Sequence, residues 1–144
     1  MSCGCSPDPV FPPVPQSFLS STSVCGNWCY PCGSSFPADL RVLWEKDNSF
    51  VGTISGTVTI NYQGGCDDRL GVVVRDSNGV IYGGDDGSFA VPRPTEKCTQ
   101  NGQTGNTVSR TFPDIASVEI LCQGTPCKTC FGKYCLELNY TVTV

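Results

Sequence analysis

The stretch from Gly132 to Val144 alternates apolar and polar side chains without a slip. Tyr134, Leu136, Leu138, Tyr140, Val142 and Val144 fall on one side, and Cys135, Glu137, Asn139, Thr141 and Thr143 on the other. A period of two is that of a β-strand, and a strand with one apolar face must bury it against a second layer. The same period recurs upstream. Leu40, Val42 and Trp44 alternate with Asp39, Arg41 and Glu45, and Ile54, Val58, Ile60 and Tyr62 with Thr53, Thr57, Thr59 and Asn61. Leu70 to Val74 makes a third strand, and the turn Asp76-Ser77-Asn78-Gly79 sends Val80 to Tyr82 back as a hairpin. Ser88 to Val91, Thr107 to Phe112 and Asp114 to Cys122 complete the set, the last with Ala116, Val118, Ile120 and Cys122 on one face. Gly52 and Gly56 lie on an apolar face and predict a bend or bulge. No segment carries a helical period. The pattern predicts an all-β protein, an eight-stranded jelly-roll sandwich, with loops too unequal for an up-and-down barrel.

The chain divides into three parts. Residues 1–18, MSCGCSPDPVFPPVPQSF, carry Cys3, Cys5 and the prolines 7, 9, 12, 13 and 15. Proline fixes φ and pushes its predecessor into extended conformation, so this is a semi-rigid connector arm. At about 3.1 Å per residue it reaches on the order of 50 Å. Residues 19–38 read as a Cys-rich irregular segment, punctuated by Gly26, Pro31, Gly33 and Pro37. Residues 39–144 form the jelly-roll domain.

Eleven cysteines in 144 residues point to covalent cross-links or metal, and an odd number leaves one partner in another chain if all are bonded. Cys29-x-x-Cys32 and Cys127-x-x-Cys130 are plausible zinc knuckles by ligand type. The roughly ninety-five residues between them far exceed the usual spacing, so disulfides stapling loops are the better reading. Cys29, Cys32, Cys66, Cys98, Cys122, Cys127 and Cys130 are accordingly the candidates for bonds within the chain. A thioredoxin-like redox pair lacks its βαβ context. Cys135 stands apart because it lies on the polar face of its strand. It pairs either with a nearby loop cysteine, Cys130 or Cys127, or with an arm thiol, Cys3 or Cys5, of another copy.

Chemistry is sparse elsewhere. With no histidine, the usual Ser-His-Asp and Cys-His-Asn sites cannot be built. Asp67/Asp68 and Asp85/Asp86 sit in glycine-rich turns without EF-hand spacing and read as solvated turn residues rather than calcium ligands. Asn139-Tyr140-Thr141 matches a glycosylation sequon but lies mid-strand. A net charge of −4 gives no footprint for nucleic acid or an anionic membrane, and no stretch approaches 18 apolar residues. No apolar run behind a basic N-terminus marks a secretory signal, which fits poorly with disulfides unless release follows lysis of the producing cell.

The phrases MSCGCSPDP, GTISGTVTINYQGG, TFPDIASVEI and GKYCLELNYTV resemble the subunits of bacterial endospore appendages, the Ena fibres of Bacillus-type spores. The resemblance implies a non-enzymatic, cofactor-free structural subunit on the spore surface that polymerises with itself. Other appendage subunits or a spore-surface anchor are further partners it implies. Subunits would join side by side by β-sheet augmentation, with the arm forming disulfides to neighbours along the fibre. Carried over, Cys3 and Cys5 are the connector thiols, Cys135 is the acceptor on the last strand and Cys25 a second acceptor. The extra cysteines depart from the family pattern and leave the pairing open. Release on mother-cell lysis would also account for the missing signal. Two other functions compete: a carbohydrate- or ligand-binding jelly roll using exposed Trp28 and Tyr30, and a small zinc protein using the two knuckles.

Overall fold

A computed structural model describes residues 19–33, 38–65, 69–84, 87–92, 106–124 and 129–141. Its strands are β1 (Leu19–Pro31), β2 (Arg41–Glu45), β3 (Ile54–Gly64), β4 (Leu70–Arg75), β5 (Phe89–Val91), β6 (Asn106–Phe112), β7 (Ser117–Cys122) and β8 (Thr129–Thr141). They form two four-stranded sheets, in the orders β1-β8-β3-β6 and β2-β7-β4-β5. All pairings are antiparallel. The pairs nest from the outside in: β1 with β8, β2 with β7, β3 with β6, β4 with β5. Nesting of this kind is what rolling up one long hairpin produces, and it makes an all-β sandwich.

The alternation explains the core. Along β3 every second residue from Ile54 to Gly64 is buried, and Val58, Ile60 and Tyr62 are 0–1% exposed. Tyr134, Leu136, Leu138 and Tyr140 of β8 join them from the same sheet. Leu70, Val72 and Val74 of β4 meet them from the other, with Val118 and Ile120 of β7. Burying each such side chain contributes roughly 1.5–3 kcal/mol, which offsets the entropy of ordering the strands. No buried polar or charged residue is found among the described residues.

The structure corrects the sequence pattern at four places. Leu19–Pro31 is a thirteen-residue strand, not an irregular segment. Val80 to Tyr82 folds back on β4 through the isolated bridge Arg75↔Ile81, flanked by the Asp76 amide donating to the Val80 carbonyl and the Tyr82 amide to the Val74 carbonyl, but it is too short to make a strand. There the Asp76 carboxylate accepts the Asn78 and Val80 amides at 2.9 and 3.0 Å, closing the loop on itself. In β2 a register shift between Val42 and Trp44 breaks the alternation and leaves Val42 50% exposed. Gly56 shows no shift in register: it is paired with Phe112 and Leu138, and a Cβ there would collide with the Glu137 carbonyl. Close backbone approach, not bending, is what that position requires. The acid pairs at 67/68 and 85/86 lie outside the described residues.

Candidate functional site

The four strands of the β1 sheet present a polar outer face built in straight rows. Ser23 of β1, Glu137 of β8, Thr57 of β3 and Thr111 of β6 form one row. Cys25, Cys135, Thr59 and Ser109 form the next, and Asn27, Lys133, Asn61 and Thr107 the third. Hydroxyl pairs lace the β3–β6 half, Thr57 to Thr111 at 2.9 Å and Thr59 to Ser109 at 2.7 Å, and Asn61 Nδ2 donates to Thr107 Oγ1 at 3.0 Å. Such cross-strand pairs pin the register. Toward the other end, Ser21, Thr22, Ser23, Glu137, Leu138 and Asn139 line an open groove of about 300 Å³.

In the middle of this face Cys25 and Cys135 are bonded to each other. Their Cα atoms are 4.1 Å apart, the close approach expected of a directly opposed pair without its own ladder bonds. Alternation correctly puts Cys135 outward. Within the chain Cys135 bonds to Cys25 and not to Cys130 or Cys127. The reason is β1: once residues 19–31 form a strand beside β8, its register sets residue 25 against residue 135. Cys25 is exposed and Cys135 half-buried.

A second disulfide is of the opposite kind. Cys122 at the end of β7 bonds Cys130 at the start of β8, tying the two sheets together with both residues buried. The Gly33 amide donates to the Cys122 carbonyl at 2.8 Å, drawing the end of β1 to the same place. Cys29 and Cys32 are also disulfide-bonded. Three of the four candidate zinc ligands are thus spent in S–S bonds, which removes the thiolates a zinc knuckle needs. Cys3, Cys5, Cys66, Cys98 and Cys127 lie outside the described residues.

The aromatic pair does not form an exposed binding site either. Trp28 is 3% exposed, stacks on Tyr30 at 6.2 Å and leans on Tyr62 at 6.1 Å. Its indole N–H donates to the Lys133 carbonyl at 3.1 Å. Tyr30 is half-buried, donates to the Val42 carbonyl at 3.3 Å, and has its pKa raised above the ordinary 10.0, chiefly by burial. Both rings act as core between the sheets.

A family model described as endospore appendages matches residues 4–142. The chain belongs to the endospore-appendage family. Among solved structures, one described as a Bacillus endospore appendage, from a family of disulfide-linked pili, resembles this appendage protein with a TM-score of 0.55. The two share 16% identity over 88% of this chain and 91% of that one, a likeness of fold. A search of the curated proteins found no match. What the sequence of this appendage protein did not disclose is the strand that brings Cys25 to Cys135. The one available signal was Val24, Trp28 and Tyr30 at even spacing, diluted by Gly26 and three serines.

Proposed function

We propose that this chain is the repeating, non-enzymatic subunit of a fibre on the spore surface, joined laterally by β-sheet augmentation and lengthwise by its N-terminal arm. The observation that carries this reading is an uncharged edge strand, β1, that exposes Cys25 beside Cys135 of β8, in a member of an appendage family. β1 is the longest edge, thirteen residues without one charge, and its outer side has no partner among the described residues. The other edges are blunted. β2 and β5 have five and three residues, and β6 turns Arg110 over the Phe89 ring at 6.0 Å. Short strands and inward charges are ordinary guards against pairing, and β1 lacks them. β1 of one copy pairing with a different edge strand of the next is a heterologous contact, which gives rings where the rotation closes and filaments where it does not.

In this reading Cys3 and Cys5 of the arm are the connector thiols, and Cys25 and Cys135 of a neighbour the acceptors. Negative-stain microscopy of the purified protein tests it. Filaments that survive hot detergent and weaken with reductant are expected, and Cys3→Ser/Cys5→Ser should give filaments that fall apart in detergent alone. Equally robust filaments from that double variant would sink the arm as the coupling.

A further inference from the structure

A bond between arm and acceptor can arise from two thiols and an oxidant, or from one thiolate and a disulfide. The single chain already holds a disulfide, Cys25 to Cys135. We propose that this bond is the reactive acceptor of the fibre cross-link, opened by thiol–disulfide exchange with Cys3 or Cys5 of a second copy. The proposal rests on the fibre-subunit reading above.

The step balances without a co-reactant. The arm thiol gives up its proton and its thiolate attacks Cys25 Sγ. The Cys25–Cys135 bond breaks, a new S–S bond joins the two copies at Cys25, and the electron pair leaves on Cys135 Sγ. That sulfur then takes up a proton and becomes a thiol. One disulfide is consumed and one formed, so nothing is oxidised overall.

Position separates this bond from Cys122–Cys130. Attack requires a thiolate to reach sulfur from solvent, and exposed disulfides are the labile ones. Cys122 and Cys130 are 2% and 0% exposed and closed to such an approach. Cys25 is exposed on an edge strand, flanked on its own face by Ser23 and Asn27, whose side chains are small. Cys135 lies half-buried between β1 and β3, which makes Cys25 the sulfur attacked and Cys135 the one that leaves. The groove lined by Ser21, Ser23, Glu137 and Asn139 begins one row away and offers an incoming arm a place to lie.

The occupant is the arm of another copy rather than the chain's own. Running backward, the chain leaves β1 at Leu19, heading away from Cys25. By its sequence the arm, with five prolines between residues 7 and 15, is semi-rigid and suited to reaching a second copy. Exchange is also reversible, so a subunit docked out of register could be released until its β1 edge is correctly paired.

Two full-length variants test the proposal. The acceptor, Cys3→Ser/Cys5→Ser, is isolated oxidised; the donor, Cys25→Ser/Cys135→Ser, is reduced, desalted and mixed with it under anaerobic conditions. The expected result is a covalent dimer on non-reducing gels whose peptide map joins an arm cysteine to Cys25, with one newly alkylated thiol at Cys135. Its rate should rise about tenfold per pH unit below the thiol pKa, as the thiolate fraction does. Should the reduced donor lose its fold, a reduced peptide of residues 1–18 carrying Cys3→Ser serves in its place with the same readout. If arm-to-Cys25 bonds form only after an oxidant is added, exchange is overturned while the fibre reading stands. If no arm bond to Cys25 or Cys135 forms under either condition, both fail.

Discussion

At Gly132 the fit of the β1–β8 pair comes down to one missing methyl group. Trp28 lies directly across from Gly132, and Gly26 directly across from Tyr134, so each large ring faces the smallest residue. A Cβ on Gly132 would stand 2.8 Å from Trp28 Cζ2 and would overlap the Asn61 carbonyl on its other side. The carbonyl belongs to a paired strand and cannot withdraw. Gly132→Ala should therefore destabilise the protein by about 1–3 kcal/mol, the usual cost of overpacking, measured as a lower urea midpoint with an unchanged slope. An effect within 0.5 kcal/mol would show that β8 shifts freely. The outward direction of Cys135 was legible from alternation alone, because a period of two leaves no choice of face. Its partner was not, since the register that sets it joins residues 110 positions apart.

At the scale of elements, β1 decides how the subunit presents itself. Its inner positions Thr22, Val24, Gly26, Trp28 and Tyr30 include two that are small or polar, and Gly26, Pro31 and Gly33 look like breaks. The strand forms because β8 supplies what it lacks, Tyr134 filling the space above Gly26 and Leu136 packing beside Val24. A hydrophobic pattern is read one segment at a time, whereas this complementarity exists only between two. By contrast β3 and β8 carry their whole inner face in their own residues and were legible throughout. The same lack of charge leaves β1 open to further pairing. Asn27→Glu places a carboxylate on that edge opposite Lys133, where a cross-strand pair keeps the fold intact. Thermal stability should stay within about 0.5 kcal/mol of the parent while filament yield under the microscope falls severalfold. Undiminished filaments would mean that β1 is not the growing edge.

Across the whole molecule the nested pairing brings the first and last strands side by side, and one S–S bond clasps them. A loop of that length stabilises the fold by on the order of 4–5 kcal/mol in the chain-entropy account. The short Cys122–Cys130 loop contributes less entropy but sits where solvent cannot reach it. The all-β sandwich was legible because the strands expected at β3, β4, β6, β7 and β8 are present. The count of eight also held, although for a partly wrong reason: β1 entered as Val80–Tyr82 dropped out.

The Cys25–Cys135 clasp also decides how the subunit answers a mechanical pull. Nearly the whole sandwich lies between the two cysteines, so the bond makes it a covalent ring with short tails. Tension entering at one chain end and leaving at the other crosses from Cys25 to Cys135 and bypasses the ring. While the bond holds, stretching frays only the ends of β1 and β8. Once it is reduced, the 110-residue separation can pay out as extended chain, on the order of 400 Å at about 3.6 Å per residue. Single-molecule pulling with and without reductant should show that difference, and an oxidised subunit that lengthens just as far would refute the ring. A subunit whose clasp is closed is therefore stiff in oxidising surroundings and extensible in reducing ones, and an arm that opens the clasp by exchange moves the load from Cys135 onto the bond between copies.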